Sequence, residues 1–180
     1  MRKFSDRIDF QVTWRPYQLS PDAPGGKGIN KLAMYNEKFG EARVKQMLPY
    51  MQQVGQQDGI NFSYGGNVGN TFDSHRLISL AQKQGKQDEL VEELFHNYFE
   101  QEKCVSDHAV LLAAAEKVGV SGAAQMLQSS AEVNDVQADL RQFVPYARSG
   151  VPQFIIDGRP LPAGAQDAEL LEQRFAELLR

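Results

Sequence analysis

Cysteine occurs once, as Cys104, and histidine three times, as His75, His96 and His108. Thiol–disulfide exchange needs an attacking thiolate and a second, resolving thiol. One cysteine supplies neither an internal disulfide nor a dithiol cycle. Cys104 stands in Glu102-Lys103-Cys104-Val105-Ser106. Lys103 favours a thiolate there, and Glu100 and Glu102 oppose it. The plain reading is an incidental, partly buried loop cysteine. The histidines fall on three predicted helices, with no pair at metal-ligating spacing. Helix packing is the default role for His75 and an ordinary surface position the default for its neighbour Arg76. Gly65-Gly66-Asn67-Val68-Gly69 lacks both the G-K-[ST] of a phosphate loop and the G-x-G-x-x-G pattern, and reads as a flexible loop.

The elements that must position these groups are contained in 180 residues, enough for one domain or a domain with a large insertion. The net charge of −4 and the absence of a Lys/Arg cluster speak against a nucleic-acid surface. No apolar run reaches membrane-spanning length, and Met1 to Arg7 has no apolar signal-peptide core. With no disulfide framework, the expected location is cytoplasmic.

Ile8 to Trp14 alternates apolar and polar residues and predicts a half-buried strand, with Trp14 in the core. Pro21 to Gly28 is a loop. Helices are expected over Ile29–Phe39 and Glu41–Gln57, with Pro49 kinking the second or opening a new helix. Asn70 or Thr71 should cap a helix over Phe72–Gln84. Gln87–Glu100 carries Leu90, Val91, Leu94, Phe95, Tyr98 and Phe99 on one stripe, which predicts an inward apolar face. Ser106 should cap the next helix, and Ala123–Ser129 and Val133–Ala147 complete a helical block. Two short strands then flank the Asp157-Gly158 turn, with Pro160 and Pro162 suiting only an edge. Asp167 should cap a final helix, Ala168–Leu179, with Leu170, Leu171, Phe175 and Leu178 inward.

Four segments carry a family resemblance. They are Trp14-Arg15-Pro16-Tyr17 with Pro21-Asp22-Ala23-Pro24; Asn70-Thr71 with His75-Arg76-Leu77; Gly150-Val151-Pro152-Gln153-Phe154; and Asp157-Gly158 followed by Gly164-Ala165-Gln166. In this order and spacing the chain resembles the DsbA-like thioredoxin-fold oxidoreductases, in particular the FrnE-like branch. The resemblance implies an α/β, thioredoxin-like fold with a large all-helical insertion, lacking the first core strand. The incomplete core would be residues 1–26 and 149–180, and the insertion 27–148. It also implies that the Val151–Pro152 bond is cis and that Val151, Pro152, His75 and Arg76 bind substrate. A cis bond would otherwise be expected for only about 5–6% of X-Pro bonds.

The family's reactive Cys-x-x-Cys precedes the first segment and is not among these residues. The expectation is therefore a DsbA/FrnE-type thiol–disulfide oxidoreductase, truncated and inactive in dithiol exchange by itself. Its partner would be a peptide or protein thiol, with no catalytic residue, metal or resident cofactor here. A second reading is a redox-inactive peptide- or partner-binding protein, in which a homodimer could add a strand across the gap. A third is a glutathione-using relative, of the 2-hydroxychromene-2-carboxylate isomerase or kappa-type transferase kind, with glutathione as ligand. No nucleic acid or membrane is expected as a partner in any of the three.

Overall fold

The computed structural model describes residues 1–179. Helices dominate: α1 is Lys31–Phe39, α2 Glu41–Gln57, α3 Phe72–Lys83, α4 Gln87–Phe99, α5 His108–Val118, α6 Ala123–Leu127, α7 Val133–Phe143 and α8 Ala168–Glu177. Among the described residues the strands are two residues each. β1 (Ile29–Asn30) pairs antiparallel with β2 (Asn67–Val68), and β3 (Ile155–Ile156) with β4 (Arg159–Pro160). The chain divides into two compact units, one of 1–17 with 137–180 and one of 18–136.

The unit 18–136 holds a continuous apolar core. Leu77 and Ala81 of α3, Leu90 and Leu94 of α4, Leu111, Ala114 and Ala115 of α5, and Met126 of α6 are buried against one another. The helix signals are physical ones. Gly119 ends α5 in the left-handed region, at φ 79°. The Asn70 side chain accepts the Phe72 backbone N–H at 2.8 Å, closing the start of α3. The α5 cap lies one residue later than predicted. Asp107 accepts from the Ala109 N–H, while the Ser106 hydroxyl donates instead to the Gly26 carbonyl at 2.7 Å. Ser106 is buried and its hydroxyl serves a loop–loop contact.

Helix α2 runs from Glu41 to Gln57 as one element with Pro49 inside it, so no new helix begins there. The start of the first predicted helix is also corrected. Ile29 and Asn30 are strand, and the Asn30 side chain caps α1 by accepting the Ala33 N–H.

The glycine run read as a flexible loop is closely packed. Gly66 has φ 71°, and a methyl there would collide with the Glu102 carbonyl. A methyl on Gly69 would meet the Ser106 hydroxyl and lie 2.7 Å from the Pro24 carbonyl oxygen. These glycines let two loops touch backbone to backbone.

In the unit 1–17/137–180 the largest correction concerns Ile8–Trp14, which is not a strand. A strand needs a ladder partner, and no described segment pairs with it. Only Ile8 and Phe10 are half-buried; Val12 is 48% and Trp14 36% exposed. Phe10 packs edge-on against Phe175 of α8, with ring centroids 4.9 Å apart. Arg15 pairs with Asp139 at 2.9 Å and lies over the Phe143 ring. The stripe predicted for α8 faces inward in part: Leu170, Leu171 and Phe175 are half-buried, Phe175 against Phe4 and Phe10, while Leu178 just beyond the helix is exposed.

Candidate functional site

The loop from Gly150 to Phe154 leads into β3. Gly150 has φ 132°, which only glycine adopts without strain, and its N–H donates to the Ala147 carbonyl. The Val151–Pro152 bond is cis. The Pro152 carbonyl accepts the Gly164 N–H at 2.9 Å, tying this loop to the turn after β4. The Gln153 side-chain amide donates to the Phe154 and Leu161 carbonyls, and the Leu161 N–H donates back to Phe154. The loop is thus held from behind, at Pro152, Gln153 and Phe154. The Val151 side chain is exposed, and no described residue hydrogen-bonds to the Val151 backbone. An amide donor and a carbonyl acceptor beside an exposed apolar side chain are the groups that pair with an extended peptide.

His75 and Arg76 lie on α3, in the other unit. Arg76 is not the surface arginine of the sequence reading; it is 5% exposed. Its guanidinium donates to Asp73 at 2.7 Å and to the Met126, Ser129 and Ala131 carbonyls. These four acceptors satisfy the buried cation and fasten the segment after α6 to α3. Asp73 also hydrogen-bonds His108 at 2.7 Å, joining α3 to the first turn of α5. Burial pulls the Asp73 carboxyl upward, but the Arg76 and His108 hydrogen bonds outweigh it and hold the group below its ordinary value. Sequence reasoning missed this Arg76–Asp73–His108 chain. Asp73 and Arg76 are three apart on one helix face, a readable pair, but His108 is 35 residues from Asp73 and only the fold joins them.

Cys104 lies in the loop between α4 and α5, is buried and makes no disulfide. Its Sγ lies 3.1 Å from the Ser106 Oγ and against Gly28. Nearby, Lys31 is 1% exposed, its Nζ donating to the Tyr98 carbonyl and sitting 3.8 Å over the Tyr98 ring. Burial lowers the Lys31 pKa and the charge of Glu102 works against that shift. Nothing in the spacing of residues 31 and 98 announces this contact. No group of three or more His, Cys, Asp or Glu positioned for a metal occurs among the described residues. Among the described residues no helix is long and apolar enough to cross a membrane.

An exposed X-Pro loop leading into a short antiparallel strand pair, a carboxy-terminal helix and a large helical block fit a thioredoxin-like α/β protein. A family model for the DSBA-like thioredoxin domain matches residues 1–176, and the chain belongs to that family. Among solved structures, a probable DsbA oxidoreductase from Streptomyces coelicolor is similar, with a TM-score of 0.80 and 25% sequence identity. The match covers 91% of this chain and 73% of that one. No curated protein matches the sequence.

Proposed function

We propose that this chain holds the substrate polypeptide of a DsbA-type thiol–disulfide oxidoreductase, of the FrnE-like kind, and that the Val151–Pro152 loop is where the substrate docks. The observation that carries this reading is the Val151 backbone, open in front of a loop whose other groups are tied down. An extended peptide would pair with Val151 as an added strand, next to its exposed side chain. Family membership and the likeness to a DsbA oxidoreductase support the same reading. The exchange itself needs two thiols beyond Cys104, which is single and buried. With that thiol alone, the 180 residues are expected to bind a substrate without turning it over. Arg76 braces α3 within the unit 18–136, where His75 also lies. Peptide or protein thiols are the proposed ligands, with glutathione the competing one and the cytoplasm the proposed location.

The test is a titration of the chain with an unstructured, thiol-containing peptide, followed by amide chemical shifts. Shifts concentrated on Gly150–Phe154 are expected, with binding weakened about tenfold by Val151→Asp, which puts a charge where apolar contact is needed. Binding unaffected by Val151→Asp would remove the loop from the site. Glutathione displacing the peptide would select the glutathione-using relative. Insulin reduction by the isolated chain is expected to be absent, and Cys104 should react with a thiol reagent only as fast as the protein opens. Turnover that is lost in Cys104→Ser would overturn this reading.

A further inference from the structure

The stripe on α4 predicted to face the core does so only in part. Leu90, Val91 and Leu94 are buried, but Phe95 is 43% and Phe99 38% exposed. From these two an uninterrupted row of rings crosses the surface of the unit 18–136. Centroid separations are 5.9 Å for Phe95–Phe99, 5.7 Å for Phe99–Phe62, 6.2 Å for Phe62–Tyr64, 6.3 Å for Tyr64–Tyr35 and 5.9 Å for Tyr35–Phe39. The row is built by loop chemistry as well as by helices. The Ser63 N–H donates to the Phe99 carbonyl and the Asn61 N–H to the Glu100 carboxylate, so the alternate residues Phe62 and Tyr64 fall into line. Gly55 of α2 leaves room for the Phe62 ring.

Acidic groups flank the row. Glu92 is in solvent one helical turn before Phe95, the Glu100 carboxylate lies at the end of α4, and Glu102 lies against Gly65 beside Tyr64. The rings already take cations within the molecule. Lys31 lies over Tyr98, whose ring meets Phe99 at 4.9 Å, and Lys38 and Arg43 lie 5.3 and 6.0 Å from the Phe39 ring centre. Ring faces attract ammonium and guanidinium groups, and nearby carboxylates add to that pull. A ring spacing close to 6 Å matches the roughly 6 Å advance of two residues in an extended chain.

We infer that this aromatic row is a docking surface for an extended cationic polypeptide, one in which Lys or Arg alternates with apolar residues. Alternate side chains would lie over successive rings, the cations reaching Glu92, Glu100 and Glu102. The surface is independent of the Val151–Pro152 loop and does not rest on the function proposed for it.

The test uses the whole chain and a fluorescent peptide of about a dozen residues in which Arg alternates with Leu and Ala. Comparators carry Glu in place of Arg, or a neutral proline-rich sequence. The Arg peptide is expected to bind about tenfold or more tightly than the Glu peptide, and to weaken in roughly 0.5 M salt. Phe95→Ser should cost about tenfold and Glu92→Lys about fivefold in affinity. Glu92 is in solvent, so Glu92→Lys should leave the thermal melt unchanged and remains informative if Phe95→Ser fails to fold. Amide shifts should centre on Ser63–Gly65 and Phe95–Phe99. Equal affinity for the Glu peptide, tighter binding of the proline-rich one, no response to Glu92→Lys, or shifts centred on Gly150–Phe154 would each overturn the inference. So would self-association of the free chain that Phe95→Ser abolishes, because the row would then be covered by a second copy.

Discussion

Asp73 shows how much one side chain can hold. It neutralises the buried Arg76, whose other donors are spent on three backbone carbonyls, and it accepts from His108. Its carboxyl pKa is held below the ordinary value, so its contribution is present above the unfolded value, about 3.9, and is lost as pH falls through the lower folded one. Asp73→Asn should therefore cost roughly 1–3 kcal/mol at neutral pH, and the gap from the parent should narrow below about pH 4. Denaturant melts across that range measure it, and a gap constant with pH would detach the effect from the carboxylate. At this scale the sequence was a partial guide. The i, i+3 spacing of Asp73 and Arg76 was there to read, but the burial of Arg76 was not, because its other partners lie 50 or more residues away.

Elements were legible where their signals are local. The left-handed Gly119, the Asn70 side chain closing on the Phe72 N–H and the apolar repeat of α4 all act within one helical turn. Misreadings arose where a long-range contact overrode a local preference. Ser106 looks like a cap and is one in type, but the loop carrying Gly26 takes its hydroxyl. Phe95 and Phe99 look like core by period, yet the stripe is wider than the neighbouring helices cover. Gly55 shows the reverse effect, a helix-interior glycine whose value is entirely tertiary. A methyl there would overlap the Phe62 ring and stand 2.8 Å from the Ile60 carbonyl oxygen. Gly55→Ala should therefore destabilise by about 1–3 kcal/mol, although alanine is the better helix former by roughly 1 kcal/mol. A thermal melt decides the sign, and stabilisation would mean that the 60–64 segment yields freely.

At the scale of the molecule, burial is unevenly shared. The unit 18–136 has fully buried leucines on α3, α4 and α5, whereas α8 in the other unit buries no residue. Local opening follows buried apolar contact. Amide exchange in α8 should be about 100-fold faster than in the middle of α5, and equal protection would show α8 to be covered in solution. The family assignment rests on residues spread over nearly the whole chain. What the sequence determined by itself is therefore what short-range chemistry determines: helix starts and stops, the turn at Asp157-Gly158, one thiol without a partner, and the family to which these segments belong. The tertiary structure decided which surfaces those elements keep. It left Ile8–Trp14 without a ladder, because a strand exists only against another strand. It also buried Arg76 and exposed Phe95, because burial depends on what distant residues bring alongside.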